Sequence, residues 1–201
     1  MDPKVQKQIV HYFSTVESFY MAVTVNLKAC QKIASEINRA IHRCNKLLVA
    51  DIGDTPLAEF KDLQKRLQAN LIHHIDISIK EIGNKLHFLS GLYREICYLY
   101  YDFALKVQEL EADPKSPLVT GTAVQPPLNL LMKFADDTIT FGAQICAQIK
   151  ITLDVLATKQ LNCKIPRENF SVPEKWVRRI PEILALTSLC CKFSENQNDI
   201  A

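Results

Sequence analysis

The sequence predicts an all-α protein, an elongated antiparallel bundle of three long coiled-coil-like helices plus a short C-terminal helical segment. Three observations predict it. Prolines occur only at Pro3, Pro56, Pro114, Pro117, Pro126, Pro127, Pro166, Pro173 and Pro181, leaving three long stretches with none, and an interior proline costs a helix about 3 kcal/mol. Within those stretches the apolar residues recur at alternating steps of three and four, the period of one narrow helical stripe. No segment carries a competing strand signal.

In the first stretch the stripe is Val5, Ile9, Tyr12, Val16, Phe19, Val23, Leu27, Cys30, Ala34, Ile37, Ile41, Cys44 and Leu48. Its weakest point is the β-branched run around Thr24 and Val25. A turn over 51–56 follows, with Asp54 or Thr55 as cap and Pro56 in the first turn of a second helix. That helix carries a stripe from Leu57 and Phe60 through Ile75, Ile82, Leu89 and Ile96 to Phe103 and Leu110. Gly83 and Gly91 each cost it about 1 kcal/mol relative to Ala and mark a bend or a close crossing. Residues 113–127 combine four prolines with Ser, Thr and Gly, a linker composition. A third helix starts near Pro127 and ends before Asn162. Ser171, Pro173 and Glu174 then open a short helix holding Trp176 and Val177, and Pro181 starts a last one running through Phe193. The layout is a helical hairpin over 1–112, a linker over 113–127, helices over 128–193 packing on the hairpin as one domain, and a frayed tail over 194–201.

With 201 residues, 48% of them hydrophobic, and 24 Lys and Arg against 22 Asp and Glu, the composition excludes a disordered or collagen-like chain. A formal charge of +2 names no polyanionic partner by itself. The seven cysteines show no Cys-x-x-Cys spacing, so neither a disulfide scaffold nor a zinc knuckle is expected, and a reducing, intracellular setting is. The N-terminus lacks an apolar signal core. The longest uncharged run, between Asp137 and Lys150, is shorter than a membrane span, so no transmembrane segment is expected.

No catalytic chemistry emerges. His11, His42, His73, His74 and His87 lack metal-ligand spacing. Thr120-Gly121-Thr122 is not a phosphate loop, and Asp136-Asp137 reads as a solvated pair. The chain is expected to be no enzyme and to need no cofactor or metal.

Two surfaces stand out. On the first helix Lys28, Lys32, Arg39, Arg43 and Lys46 lie opposite the apolar stripe and form a basic ridge, either an ordinary solvated face or a docking ridge for RNA, acidic lipid or an acidic protein. On the second, Tyr98 and Tyr101 fall nearly opposite Tyr93, Ile96 and Tyr100, so that segment is apolar or aromatic almost all round. Either the third helix covers the second face or it is a protein-binding patch. Trp176 with Arg178 and Arg179 is a second candidate, either a core tryptophan beside solvated arginines or a binding hot spot.

The order of a long amphipathic helix, DTPLAEFKDLQKRL at 54–67, a second long helix, VQPP at 124–127, a third helix and VPEKWVRRIPE at 172–182 resembles the AIRIM family. These are ribosome maturation factors associated with AFG-type AAA ATPases. FGAQICAQ at 141–148 is less basic than the family's third helix. The resemblance implies a non-catalytic adaptor, cytoplasmic and nuclear. Its implied partners are an AFG-type AAA ATPase, a second helical subunit resembling cyclin-dependent-kinase-interacting protein and, indirectly, pre-ribosomal particles. The setting is cytoplasmic maturation of the large ribosomal subunit, with release and recycling of shuttling assembly factors. The alternative is a membrane-surface module or other coiled-coil scaffold that binds through the basic ridge.

Overall fold

A computed structural model of the chain describes residues 3–51, 53, 55–60, 62–110, 116–122, 125–158 and 164–198. Its elements are α1 (Pro3–Val49), a 3₁₀ turn (Pro56–Glu59), α2 (Leu63–Leu110), the single turn α3 (Pro117–Thr120), α4 (Leu128–Ala157), a second 3₁₀ turn (Arg167–Phe170) and α5 (Glu174–Asn198). The fold is all-α, with no strand among the described residues.

The stripe on α1 is buried from Val5 to Cys44, except for half-buried Ile41, and Phe13, Ile33 and Ala40 widen it. Leu48 lies outside it, exposed on the last turn. On α2 the apolar residues Ile75, Ile82, Leu89, Ile96 and Phe103 are buried at steps of seven, while Ile79, Leu86, Tyr93 and Tyr100 are half-buried beside them. A helix that turns every 3.6 residues keeps one residue per heptad pointed inward.

Three boundaries differ from the sequence reading. The second helix starts at Leu63, not at Pro56, because Asp62 takes a left-handed φ of 60° and interrupts the backbone. Asp tolerates that region better than most residues. Thr55 makes no side-chain cap, Asp54 lies outside the described residues, and Leu57 and Phe60 are exposed. Within the linker, α3 forms a turn ended by Gly121 at φ 82°. A Cβ there would lie 2.8 Å from the Pro127 nitrogen. Finally, Trp176 and Pro181 share one helix, α5, which reaches Asn198. Proline already has a helical φ and removes only one hydrogen bond. Pro181 and Val177, whose carbonyl loses that bond, are both exposed, so water is at hand to satisfy the carbonyl.

The chain divides into two compact units, 1–25 with 88–146 and 172–201, and 26–87 with 147–171. On α1 the division follows Val25, at the β-branched run. In the first unit α1 and α2 run antiparallel, pairing Tyr12 with Phe103 and Phe19 with Tyr93 at ring-centroid distances of 5.8 and 6.5 Å. Phe141 of α4 meets Phe19 and Trp176 edge-on at 6.0 and 5.9 Å. Gly142 makes this possible, since a Cβ on it would stand 2.4 Å from the Tyr93 ring. The buried Tyr12 hydroxyl pairs with Thr138 Oγ1 at 2.6 Å, and burial raises its pKa above the ordinary tyrosine value.

The second unit has an aliphatic core of Leu27, Cys30, Ile37, Ile75, Ile82 and Ile149, closed by Ile165 and Phe170. Gln64 of α2 donates to the carbonyls of Leu47 and Ala50, satisfying the C-terminal end of α1. The 164–171 segment is tied down by side-chain amides. Asn38 donates to Ile165 O and accepts from Ile165 N, both at 2.9 Å. Gln31 donates to Phe170 O at 3.0 Å, and Gln148 reaches the carbonyls of Glu168, Asn169 and Ser171.

By length and composition α4 alone among the described helices would suffice to cross a bilayer, against the sequence expectation. Its Leu131, Phe134, Phe141, Ile145 and Ile149 are nonetheless buried in the protein.

Candidate functional site

The aromatic segment of α2 puts its two faces to different uses. Ile96 is buried and Tyr93 and Tyr100 half-buried, while Tyr98 and Tyr101 are 74% and 63% exposed. No other described helix covers them. Leu105, also exposed, follows Tyr101 by four residues. Steps of three and four place Tyr98, Tyr101 and Leu105 on one stripe, with exposed Arg94 and Asp102 beside it. An amphipathic partner helix or an apolar groove accepts such a stripe.

The second aromatic candidate lies elsewhere. Trp176 is fully buried, its indole N–H donating to Gln144 Oε1 at 2.7 Å. It is a core anchor and offers no surface to a partner: Phe141 meets its ring edge-on and Lys175 Nζ lies over it, 4.4 Å from the centroid. Arg179 is likewise structural. Its Nε and Nη2 reach Asp137 Oδ2 at 2.8 and 2.7 Å, Nη1 reaches Glu182 at 3.2 Å, and the guanidinium lies 5.2 Å from the Phe134 centroid. The hydrogen bond to Asp137 raises its pKa further, so it stays charged. Asp136 accepts from the Tyr100 hydroxyl at 2.6 Å, which raises that phenol's pKa. The acidic pair thus helps join α4 to α2 and α5. Of the second candidate group only Arg178 is exposed, next to exposed Val177.

The basic ridge is solvent-facing throughout. Lys28, Lys32, Arg39, Arg43 and Lys46 are all exposed and all lie in the second unit. The structure adds what spacing along one helix does not show. Lys164 and Arg167, both exposed, stand across a groove of about 750 Å³ from Ser35, Asn38 and Arg39. The only local signal is a proline flanked by basic residues in Lys164-Ile165-Pro166-Arg167, and nothing in it points back to α1. Charge is segregated between the units. The second holds 14 Lys and Arg against nine Asp and Glu, net +5, and the first holds ten against 13, net −3.

Among the described residues no three His, Cys, Asp or Glu side chains gather as metal ligands. Cys30 and Cys44 are buried and Cys97 and Cys146 half-buried, all as free thiols. Cys163 lies outside the described residues, as do the side chains of Cys190 and Cys191. Burial pushes the Cys30 thiol up to about 11, which makes it a poor nucleophile.

A family model described as CA109-like, ribosome biogenesis protein C1orf109-like, matches residues 3–189. The chain belongs to this family. The motifs at 54–67, 124–127 and 172–182 point to the same family, and membership makes the chain a ribosome biogenesis protein. No curated protein matches it. The matched region of this CA109-like chain contains both the Tyr98–Leu105 stripe and the basic ridge.

Proposed function

We propose that this CA109-like protein is a non-catalytic helical adaptor of an AFG-type AAA ATPase complex. The complex acts in cytoplasmic maturation of the large ribosomal subunit, releasing and recycling shuttling assembly factors. The observation that carries the reading is the uncovered stripe of Tyr98, Tyr101 and Leu105 on a helix whose opposite face is already packed. Large aromatic side chains held rigidly at helical spacing are typical anchors of a protein interface. We assign this stripe to a second helical subunit resembling cyclin-dependent-kinase-interacting protein. The ATPase would supply nucleotide hydrolysis, pre-ribosomal particles would be met through the assembled complex, and the protein would be found in cytoplasm and nucleus.

The test is affinity capture of the tagged full chain followed by mass spectrometry, comparing wild type with the double variant Tyr98→Ala, Tyr101→Ala. The wild type should recover a AAA ATPase and a second helical subunit. The variant should lose the helical subunit while keeping its own helical content by circular dichroism. Recovery of neither protein by the wild type, or of both equally by the variant, would overturn the reading.

A further inference from the structure

The basic ridge does more than expose cations along one helix: it forms one wall of a prebuilt groove with cations on both sides. Arg39 stands on the α1 wall with Ser35 and Asn38, and Lys164 and Arg167 stand on the other. The second wall is fixed. Asn38 clamps Ile165 through both backbone groups, Ile165 is buried beneath, and Gln31 and Gln148 hold the segment's far end. Along α1, Lys32 precedes the groove and Arg43 and Lys46 follow it on the same helical face.

These charges are not used internally. Among the described residues none of Lys32, Arg43, Lys46, Lys164 and Arg167 is ion-paired, and Arg39 reaches only the Ser35 carbonyl of its own helix at 3.4 Å. Glu36 and Glu168 lie among these cations without an ion pair to any of them, so cations remain in excess, and an excess of like charge is unfavourable in the free protein and gains on meeting a polyanion. Guanidinium groups suit phosphate oxygens, which they grip with two parallel hydrogen bonds.

We propose that this groove binds single-stranded RNA through its phosphodiester backbone. RNA is the polyanion at hand for a ribosome biogenesis protein, and the groove's concave shape suits a strand laid along it. A bilayer presents a broad surface and rewards large apolar residues flanking the cations, whereas of the two apolar residues lining the groove Ile165 is buried and only Pro166 is exposed. Among the described residues no aromatic side chain lines the groove, so these residues give bases no stacking platform and the recognition is tolerant of sequence. Glu168, also lining it, opposes a phosphate placed beside it and limits affinity. The site belongs to the second unit and does not depend on the Tyr98 stripe or on the ATPase.

The experiment uses the purified full-length chain and a fluorescent uridine 20-mer, with binding followed by anisotropy across a salt series. Six cations meeting phosphates predict a slope of log affinity against log salt of about −4, since each contact on a single strand contributes roughly −0.7. The double variant Arg39→Glu, Arg167→Glu should bind at least tenfold more weakly, with a slope of about −3 or shallower. The equally charged control Lys7→Glu, Lys133→Glu, on exposed positions of the other unit, should stay within twofold of wild type. Glu168→Gln should bind more tightly. The proposal is overturned if the wild type leaves the RNA free at low salt, if both double variants weaken binding equally, or if phosphatidylserine vesicles compete at concentrations where zwitterionic vesicles do not and capture the chain more tightly than RNA.

Discussion

The same substitution, glycine to alanine, should have opposite signs at three helical positions of this protein. Gly83 and Gly91 on α2 and Gly142 on α4 all sit inside long helices. Replacing a mid-helix glycine with alanine stabilises by about 0.5–1 kcal/mol when the new methyl meets nothing, chiefly by restricting the unfolded chain. At Gly83 and Gly91 a Cβ would meet nothing within 4 Å, so the close crossing read from these glycines is absent and both variants should gain. At Gly142 the Cβ would lie 2.4 and 2.8 Å from two Tyr93 ring carbons and 3.4 Å from Phe19 Cε1. Carbon atoms prefer a separation of about 3.5–4.0 Å. The nearest ring carbon must therefore retreat by about 1 Å, in a ring that packs against Phe19. Overpacking of this kind costs about 1–3 kcal/mol, so after the propensity gain of about 0.5–1 kcal/mol the net loss is up to about 2.5 kcal/mol. For a chain of this length 1 kcal/mol corresponds to about 2–4 °C in Tm. Thermal melts followed by circular dichroism should show Gly142→Ala lower by up to about 10 °C and the other two higher by about 1–4 °C. Tyr93→Leu should relieve part of the Gly142→Ala loss in a double-mutant cycle. If Gly142→Ala raised Tm with the other two, the packing of α4 against Tyr93 described above would be wrong.

Three further outcomes follow from the same packing. Trp176→Ala should destabilise by about 3–5 kcal/mol, as expected for a large buried aromatic, whereas Tyr98→Ala should change stability by less than about 0.5 kcal/mol in urea titrations, as at an exposed site. Asn38→Ala removes both hydrogen bonds to Ile165. It should cost about 1–3 kcal/mol and speed tryptic cleavage after Lys164 and Arg167, read by mass spectrometry of timed digests. The third concerns alkaline pH. The folded state raises the Cys30 thiol from 9.0 to about 11 by burial, so folding favours the protonated form. That contribution is fully present below pH 9 and lost as pH rises to about 11, on the order of 3 kcal/mol. Cys30→Ala should flatten the fall in stability over that window, and an unchanged slope in denaturant melts at pH 8, 9 and 10 would refute it.

The helices and their buried faces were legible because periodicity is a local property. Proline spacing delimits α4 closely, and the three-and-four rhythm picks out nearly every buried residue of α1. The start of α2 was not legible, because it turns on a left-handed residue at Asp62 that no periodic pattern announces. Nor does the sequence separate Trp176 from Tyr98, since both are aromatic residues within four positions of an arginine and a glutamate on an amphipathic helix. Burial of the one and exposure of the other depend on whether a second helix happens to pass over them.

The chain's own order of residues determined that it is helical, which face of each long helix is apolar, that cations line one side of α1, and the family to which it belongs. Tertiary structure alone decided that Gly142 and not Gly83 or Gly91 is a crossing point, and that Arg179 is held by Asp137 while Arg178 is free for solvent. It also decided that Lys164 and Arg167 complete a groove with Arg39. The physical reason is one of range. Backbone hydrogen bonds and side-chain periodicity act within a few residues, whereas these pairings join positions dozens to more than a hundred residues apart, and only packing brings them into contact.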